Sequence, residues 1–529
     1  MTAPTGQEDY LAYRKQLVEA KRASGVPPYP HIFRPTHTVA EFRSQYDITS
    51  ENATEGTTIL NNGDSLTTVN VSLVGRVERK HDAGKGLIFY SIIHEGAKVQ
   101  LMANARQYAS DSFATDNGEV HRGDIIGCSG HPTRTKRGEF SLMVSSITVL
   151  APCLHMLPDP KTPFVDLEKR YRQRELDLIM HHSKLRKTFT VRAQVIRYVR
   201  KFFDDRNFLE VDTPVLSAIP GGANARPFLT HHNELNATLS LRIAPELFLK
   251  RLVIGGLDRV YELGKQFRNE GIDQTHNPEF TTLESYQAYA DYEDVMNMAE
   301  ELISGLVKHV TGDYKIVYHP NGEGTEPMHI DFTPPFKRIS LIDGIEAGIG
   351  RPFPSFDAPD LREQLEALCK EFKVDCAPPR TTARLIDKLG ERFVESQCQK
   401  DPTFVTDAPA LMSPLAKYHR TRPFLTERFE MFCAGRELCN AYTELNDPFV
   451  QRERFADQQK ARDSGDVEAQ PLDEAFCQAL ELGMGPVGGF GLGIDRLVMF
   501  LTDSPTIKDV ILFPQLRPTP TPAPVAKKE

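Results

Sequence analysis

Between residues 68 and 152 the chain alternates apolar and polar residues in five short runs: VNVSLVGRVERK, GLIFYSII, KVQLMANA, DIIGCSG and EFSLMVSSITVL. The segments DAGKG, HEGA and KRGE between them are rich in turn-forming residues. Because successive side chains of a β-strand point to opposite faces, each run predicts a strand with one buried face. Five such strands in about 85 residues fit a small closed barrel.

Small five-stranded barrels of this kind are OB folds, which often bind oligonucleotides on one face. Six basic residues near the predicted turns form either an RNA-binding surface or a solvated rim: Arg79, Lys80, Lys85, Arg134, Lys136 and Arg137. With 529 residues the chain is too long for one hydrophobic core, so we expect a further domain. The formal net charge of -9 argues against a nucleic-acid surface over the whole molecule, and leaves a local basic patch.

The cysteines and the N-terminal segment indicate a cellular compartment. The eight cysteines form no C-x-x-C pair, which favours reduced thiols and argues against a structural zinc site. The segment MTAPTGQEDY has no apolar core, which argues against a secretory signal or an Arg-rich transit peptide. No apolar run is long enough to span a bilayer. We therefore expect a cytoplasmic protein without a membrane partner.

Composition and periodicity divide the chain into segments and predict an α+β fold. We expect an N-terminal helical extension (1–67), the barrel (68–152), a linker (153–183), a second folded domain (184–515) and a disordered tail (516–529). The extension contains a charged helix at 8–22. Its basic residues form either a solvated face or an RNA-facing arm: Arg14, Lys15, Lys21 and Arg22. The tail has too much proline and too few apolar residues to fold.

The segment FRNEGIDQTHNPEFTTLESYQAYADY ends in a strictly alternating run. In a β-strand, Phe280, Thr282, Glu284 and Tyr286 lie on one face. A carboxylate between aromatic residues is rarely buried without a cation. This pattern indicates either a ligand ammonium at Glu284 or the exposed face of an antiparallel sheet.

A second alternating strand lies in RFEMFCAGRELCNAYTELNDP, where Asn440, Tyr442 and Glu444 share a face. This strand offers no basic residue to Glu444, so we expect the substrate to supply its cation. Arg268 ends one extended run, and Arg496 begins a helix after the Gly-rich segment GFGLGID. Two arginines and acidic residues that can hold a divalent ion describe a phosphate site with metal. A site for both phosphate and ammonium groups suits amino-acid activation.

These segments resemble the class II aminoacyl-tRNA synthetases, and within them the lysyl-tRNA synthetases of the cytosolic type. VRKFFDDRNFLEVDTPVL, YELGKQFRNEGIDQTHNPEFTTLESYQAYADY and GGFGLGIDRLVMFL are similar to motifs 1, 2 and 3 of that class. IPGGANARPF, RIAPELFLK, PPRTTARLIDKL, MSPLAKYHR and ELCNAYTELNDP match the narrower family. The resemblance covers about residues 8 to 515. It implies an OB domain that binds the anticodon and a catalytic domain at 184–515, with an antiparallel sheet flanked by helices.

The resemblance also implies a role for each matching residue. Those expected to contact L-lysine are Gly222, Glu246, Arg268, Glu284, Tyr286, Asn440, Tyr442 and Glu444. Those expected to contact ATP are Arg268, Asn269, Glu270, His276, Asn277, Phe280, Glu437, Leu438, Gly493 and Arg496. Arg268 and Arg496 are the expected catalytic residues, and Glu430 and Glu437 the expected Mg²⁺ ligands. The residues expected to bind the anticodon of tRNA(Lys) are Arg76, Phe89, Gln100 and Glu139.

Three other functions remain open on the sequence. An aspartyl- or asparaginyl-tRNA synthetase would need a cation or amide donors in place of Glu284 and Glu444. A lysine ligase that modifies a protein would lack the barrel. A non-catalytic RNA-binding or signalling protein is disfavoured by Arg268 and Arg496. The resemblance further implies a homodimer formed through the motif 1 helix and the segment at Pro214.

Overall fold

A closed five-stranded barrel forms the centre of the first of two units into which the chain divides, Met1–Arg186 and Lys187–Glu529. The computed structural model describes residues 6–54, 56–159, 164–463, 465 and 468–518. The barrel strands are β1 (Val71–Asp82), β2 (Leu87–His94), β3 (Ala97–Asn104), β4 (Ile125–Arg134) and β5 (Phe140–Ala151). Their order is β1-β2-β3-β5-β4. Buried residues recur at every second position of β2, so the predicted OB barrel is confirmed.

Short helices accompany the barrel: α1 (Gln7–Ala23), α2 (Val39–Tyr46), α3 (Phe113–Glu119), α4 (Leu167–Arg172) and α5 (Arg174–Met180). Val39 and Phe42 of α2, together with Leu60, are part of the barrel core, so the N-terminal extension packs onto the barrel. Helix α3, between β3 and β4, was absent from the sequence prediction. The predicted linker contains α4 and α5, and its residues 160–163 lie outside the described residues.

Helix α1 is held by a buried ion pair. Arg14 Nη2 donates to Asp124 Oδ1 at 2.6 Å, and the two side chains are 2% and 0% exposed. Asp124 also accepts the backbone N–H groups of His121 and Cys153. Arg14 therefore belongs neither to a solvated face nor to an RNA-facing arm, whereas the neighbouring Lys15 is exposed.

The second unit contains an eight-stranded sheet. Its strands, with those of two small sheets, are β6 (Leu209–Glu210), β7 (Leu216–Ser217), β8 (Leu229–His232), β9 (Ala237–Leu241), β10 (Arg259–Phe267), β11 (Glu279–Ala288), β12 (Lys315–Tyr318), β13 (Met328–Asp331), β14 (Lys337–Ser340), β15 (Thr403–Thr406), β16 (Arg428–Cys433), β17 (Arg436–Thr443) and β18 (Val487–Gly493). The large sheet has the order β14-β15-β16-β17-β18-β11-β10-β6. Each pair of adjacent strands between β15 and β10 in this order is antiparallel. The two edge pairs, β14–β15 and β10–β6, are parallel. The α+β class is confirmed, with a sheet that is mixed at its edges.

Helices cover one face of this sheet. The helices from residue 182 onward are α6 (His182–Asp204), α7 (Glu246–Ile254), α8 (Tyr292–Thr311), α9 (Leu341–Ile349), α10 (Leu361–Glu371), α11 (Thr382–Phe393), α12 (Pro448–Asp463), α13 (Glu474–Leu480), α14 (Ile494–Leu501) and α15 (Ile507–Val510). Leu283, Ala441 and Phe490, on β11, β17 and β18, share a buried core with residues of α6, α8 and α14. Because side chains alternate along a strand, the residues between them point to the opposite face of the sheet.

Three further predictions from the sequence concern the tail, the cysteines and membrane-spanning helices. Residues 519–529 of the predicted tail lie outside the described residues. All eight cysteines are described, and each is unpaired. Within the described parts of the chain, no helix has both the length and the apolar character needed to cross a bilayer.

We predict that Arg14→Met destabilises the first unit, because it leaves the buried carboxylate of Asp124 without its cation. Removing one partner of a buried ion pair costs about 3–5 kcal/mol, so the unfolding free energy in urea should fall by about that amount. Lys15→Met, at the adjacent exposed position, should leave it nearly unchanged. Normal stability of Arg14→Met together with weaker RNA binding would contradict the structural role.

Candidate active site

A cavity of about 400 Å³ lies on the face of the large sheet opposite the helical core. It gathers nearly all the residues that the sequence predicts to contact lysine, ATP or metal. Those that line it are Gly222, Glu246, Arg268, Glu270, His276, Asn277, Phe280, Glu284, Tyr286, Glu430, Glu437, Leu438, Asn440, Tyr442, Glu444, Gly493 and Arg496. Asn269 lies outside the lining, and its N–H donates to the carbonyl oxygen of Arg226 at 2.8 Å.

The Gly-rich strand β18 forms the floor of this cavity. In the pairing register, Gly489 lies between Tyr286 of β11 and Tyr442 of β17. A Cβ atom on Gly489 would come within 1.9 Å of Glu444 Oε1 and 2.8 Å of the Tyr286 ring. Only glycine fits there, so β18 leaves a trough between the side chains of its two neighbouring strands.

Three carboxylates meet at one end of the trough, which we call the acidic end: Glu246, Glu284 and Glu444. Glu246 begins helix α7, and both of its carboxylate oxygens lie 2.7 Å from the Tyr442 hydroxyl. Glu284 extends from the middle of β11. Glu444 immediately follows β17, and 1% of its surface is exposed. Such a group of buried carboxylates attracts cations.

A buried lysine pairs with two of these carboxylates. Lys250 Nζ lies 2.6 Å from Glu444 Oε2 and 2.9 Å from Glu246 Oε1, and none of the Lys250 side chain is exposed. Burial alone would lower the pKa of Lys250, but Glu444 and Glu246 outweigh it and raise that pKa. The expectation that only the substrate supplies a cation to Glu444 is therefore wrong. The missing partner comes from helix α7, not from the strand.

Glu444 nevertheless keeps one oxygen for a ligand. Among the described residues, Glu444 Oε1 is buried without a hydrogen-bond partner. Burial, reinforced by the nearby Glu246, raises the pKa of Glu284 to about 8, although Arg268 pulls it down. At neutral pH the empty pocket thus holds Glu284 mainly protonated. A bound ammonium would favour its ionised form.

Two arginines occupy the other end of the cavity, which we call the phosphate end. Arg268 lies over the Phe280 ring, with 5.1 Å between its Cζ atom and the ring centroid. Arg496 lies in the first turn of α14. Its Nη1 donates to the Glu437 carbonyl oxygen at 2.7 Å, and its Nη2 lies 3.0 Å from His276 Nε2. The guanidinium group of Arg496 at a helix N-terminus and that of Arg268 after β10 suit a polyphosphate, and the Phe280 ring offers a stacking surface beside them.

Glu430 and Glu437 lie at the edge of the phosphate end and have the donor chemistry for Mg²⁺. Burial raises the pKa of Glu430, while Arg428, whose Nη2 donates to it, acts in the opposite direction. The described residues contain no cluster of three or more acidic, His or Cys side chains that would hold a metal alone. Mg²⁺ usually binds through one or two carboxylates and the phosphates of its substrate, so a pair of glutamates fits the ion.

Three residues that shape the cavity were not predicted from the sequence. Arg428 Nε donates to Asn440 Oδ1 at 3.0 Å and fixes the amide. Gln470 accepts the N–H of Gly222 at 3.2 Å. Lys250 follows Glu246 by four residues, and this spacing on one helix face was the only local signal for any of the three.

The residues predicted to bind an anticodon share the outer face of the barrel. Arg76, Phe89 and Gln100 point away from its core, on β1, β2 and β3. Gln100 Nε2 donates to Ser141 Oγ of β5 at 2.9 Å, and the exposed Glu139 precedes that strand. The half-buried Phe89 offers a ring for base stacking.

The basic turns of the barrel only partly match the predicted RNA surface. Arg134 is buried, with its Nη2 2.6 Å from Asp47 Oδ1, so it belongs to the structure of the unit. Lys80 Nζ donates to the carbonyl oxygens of Asn117 and Val120 at 2.6 and 2.9 Å. Lys136 and Arg137 are exposed at the β4–β5 turn, and remain candidates for contact with RNA.

Comparison with known proteins agrees with both units. Residues 166–517 match the family of class II tRNA synthetases (D, K and N), and residues 71–150 match the OB-fold nucleic acid binding domain. The chain is 48% identical to a lysine–tRNA ligase of Cladosporium cladosporioides, over 93% of this chain and 81% of that protein. It is 44% identical to a probable cytoplasmic lysine–tRNA ligase of Encephalitozoon cuniculi, over 97% and 98%.

A bacterial relative, the lysine–tRNA ligase of Deinococcus radiodurans, is 44% identical over 97% of this chain and 95% of its own length. Similarity at this level over both units is incompatible with a chance match to a single motif. The chain belongs to the class II tRNA synthetase family, among its lysine–tRNA ligases.

Proposed function

We propose that this protein is a lysine–tRNA ligase, which activates L-lysine with ATP and transfers it to the 3′ end of tRNA(Lys). The acidic end of the cavity is the observation that carries this proposal within the family. Glu444 Oε1 is a buried acceptor without a partner among the described residues, and Glu284 can ionise beside it. A ligand with a terminal ammonium satisfies both groups.

The cavity supports a reaction in two steps. In the first, the lysine carboxylate attacks the α-phosphate of ATP, and pyrophosphate leaves to give lysyl-adenylate. The nucleophile is already ionised, so alignment and charge neutralisation are sufficient and no general base is required. In the second step, a ribose hydroxyl of the terminal tRNA nucleotide attacks the activated carbonyl carbon and releases AMP.

The proposed lysine contacts are those that the family resemblance implies, and their residues line the cavity. Gly222 and Glu246 hold the α-amino group, and Glu444 and Tyr286 hold the ε-ammonium. Glu284 and Tyr442 complete the side-chain pocket. Arg268 contacts the lysine carboxylate and the α-phosphate, and Asn440, fixed by Arg428, assists on the carboxylate.

The nucleotide contacts lie at the phosphate end. Phe280 stacks on the adenine and Arg496 meets the γ-phosphate. The other residues proposed to contact ATP are Asn269, Glu270, His276, Asn277, Glu437, Leu438 and Gly493. Glu430 and Glu437 would hold Mg²⁺, which when bound neutralises phosphate charge.

The nearest alternative is an aspartyl- or asparaginyl-tRNA synthetase of the same family. An aspartate side chain would have to enter the acidic end, where Glu246 and Glu444 already share the single ammonium of Lys250. A further carboxylate there is repelled.

We also propose a cytoplasmic location, because the relative from Encephalitozoon cuniculi is named as a cytoplasmic enzyme.

We predict that lysine alone among the standard amino acids supports ATP–pyrophosphate exchange. Norleucine has the same carbon chain as lysine but no side-chain ammonium, so it leaves Glu444 Oε1 unpaired and should be rejected by about 10⁴-fold or more in kcat/KM. Exchange measured with a panel of lysine, norleucine, aspartate and asparagine checks this. Preferential activation of aspartate or asparagine would replace the proposal, and no exchange with any amino acid would remove it.

A second prediction concerns Phe89 on the outer face of the barrel. Phe89→Ala should weaken aminoacylation through loss of base stacking worth about 1–3 kcal/mol. Lysine-dependent pyrophosphate exchange should stay nearly normal, because it needs no tRNA. Ile93→Ala, on the same face of β2, controls for loss of strand packing. Equal losses in both assays would show that Phe89 does not act through the anticodon.

We also propose a homodimer, supported by apolar side chains exposed near Pro214. Leu209, Val215, Leu216 and Leu229 are between 42% and 69% exposed. A surface of this kind on a soluble enzyme favours self-association. Light scattering should give twice the chain mass, and Leu209→Asp should lower it toward the monomer. Leu482→Asp, at a site that is 82% exposed in another part of the unit, should not. A fully active wild-type monomer would contradict the dimer.

A further inference from the structure

Lys250 has no role in the reaction described above, although it contacts two residues proposed to bind lysine. It lies behind the wall of the cavity and is fully buried. Its Nζ lies 2.9 Å from Glu246 Oε1, 2.6 Å from Glu444 Oε2 and 5.4 Å from the centroid of the Phe476 ring. An ammonium has three donors, and two carboxylates and an aromatic face accommodate all three. Lys250 is therefore fully satisfied before any ligand enters.

The pairing determines which part of Glu444 faces a ligand. Lys250 takes Oε2, and the missing side chain of Gly489 makes room for Oε1. Among the described residues Oε1 is left without a partner. The carboxylate is thus held from behind by an ion pair, with one oxygen directed at the trough.

Lys250 also sets the charge of the acidic end. Burial raises the pKa of Glu444 well above its usual range, Glu246 and Glu284 reinforce that rise, and the Lys250 ammonium acts against it. Lys250 thus compensates negative charge at the acidic end from inside the protein. The remainder matches a ligand that brings its own ammonium.

We propose that Lys250 is a positioning residue for lysine selection: its buried ammonium holds the carboxyl groups of Glu246 and Glu444 in the orientation that receives the two amino groups of the substrate. This inference rests on the proposed function and adds a residue that does not touch the substrate. A purely structural clamp between α7 and the end of β17 is the alternative. The two differ in what they do to the pH dependence of lysine activation.

The test substitutes Lys250→Met, which keeps an unbranched side chain of nearly the same length and removes its charge. Loss of a cation within about 4–6 Å raises a carboxylate pKa by about 1–3 units. The protonated carboxyl no longer attracts an ammonium, so kcat/KM for lysine at pH 7 should fall by about ten- to a thousandfold. Because a higher pH restores the carboxylate, activity should recover as pH rises to 9. The KM for ATP should stay within about twofold, since the phosphate end is intact.

The measurement is lysine-dependent pyrophosphate exchange between pH 6.5 and 9, with thermal unfolding recorded for each variant. Arg251→Met, at the next and exposed position of α7, is the matched control and should keep the wild-type profile. Lys250→Gln separates charge from hydrogen bonding, because its amide can donate to a carboxylate but carries no charge. It should show the same alkaline shift.

The outcomes distinguish the inference from the function on which it rests. A wild-type enzyme that does not activate lysine removes the proposed function. If the wild-type enzyme activates lysine and either Lys250→Met or Lys250→Gln follows the wild-type pH profile, only the proposed role of Lys250 is overturned. A loss of activity that is equal at every pH, or failure of both variants to fold, would make Lys250 a structural clamp and would also overturn it.

Discussion

The carboxylate of Asp495 is the contact on which the geometry of the candidate active site depends. It accepts Arg192 Nη1 of α6 and the backbone N–H of Thr281 in β11, each at 2.6 Å, and it is 2% exposed. Arg192 Nη2 closes the arrangement by donating to Thr281 Oγ1 at 3.0 Å. The neighbours of these residues are Arg496 and Phe280. This ion pair, in which Asp495 is buried and Arg192 is 16% exposed, therefore fixes the Phe280 ring relative to Arg496. Removing one partner of such a pair would leave the other charge uncompensated.

The acidic end also depends on buried charges, but there the charges are only partly compensated. Burying three carboxylates is costly unless cations and hydrogen bonds compensate them. Lys250 and Tyr442 compensate part of the charge, and Glu284 avoids the remainder by holding its proton up to about pH 8. What is left uncompensated is one oxygen of Glu444. The acidic end thus keeps a buried acceptor that a ligand ammonium would satisfy.

Much of the site was predictable from local patterns. Period-two alternation placed Glu284 with Tyr286, and Asn440 with Tyr442, on common faces, and the structure brings both pairs to one cavity. The five-stranded barrel followed from the same periodicity. Patterns failed where a partner is distant. The charge run predicted a solvated face or an RNA-facing arm for Arg14, but Arg14 pairs with Asp124, 110 residues away. Lys250 was overlooked because only the strand that precedes Glu444 was considered, and Lys250 lies on helix α7.

The sequence by itself determined the elements, their faces and the chemical character of the site, because strand periodicity, turn residues and the choice of Glu, Arg and Gly are local properties. Only the tertiary structure decided which charges meet. The antiparallel register puts Gly489 between Tyr286 and Tyr442, and the packing of α7 brings Lys250 to Glu444 across 194 residues of chain. Coulomb energy depends on distance and burial, and neither is defined until the chain has folded.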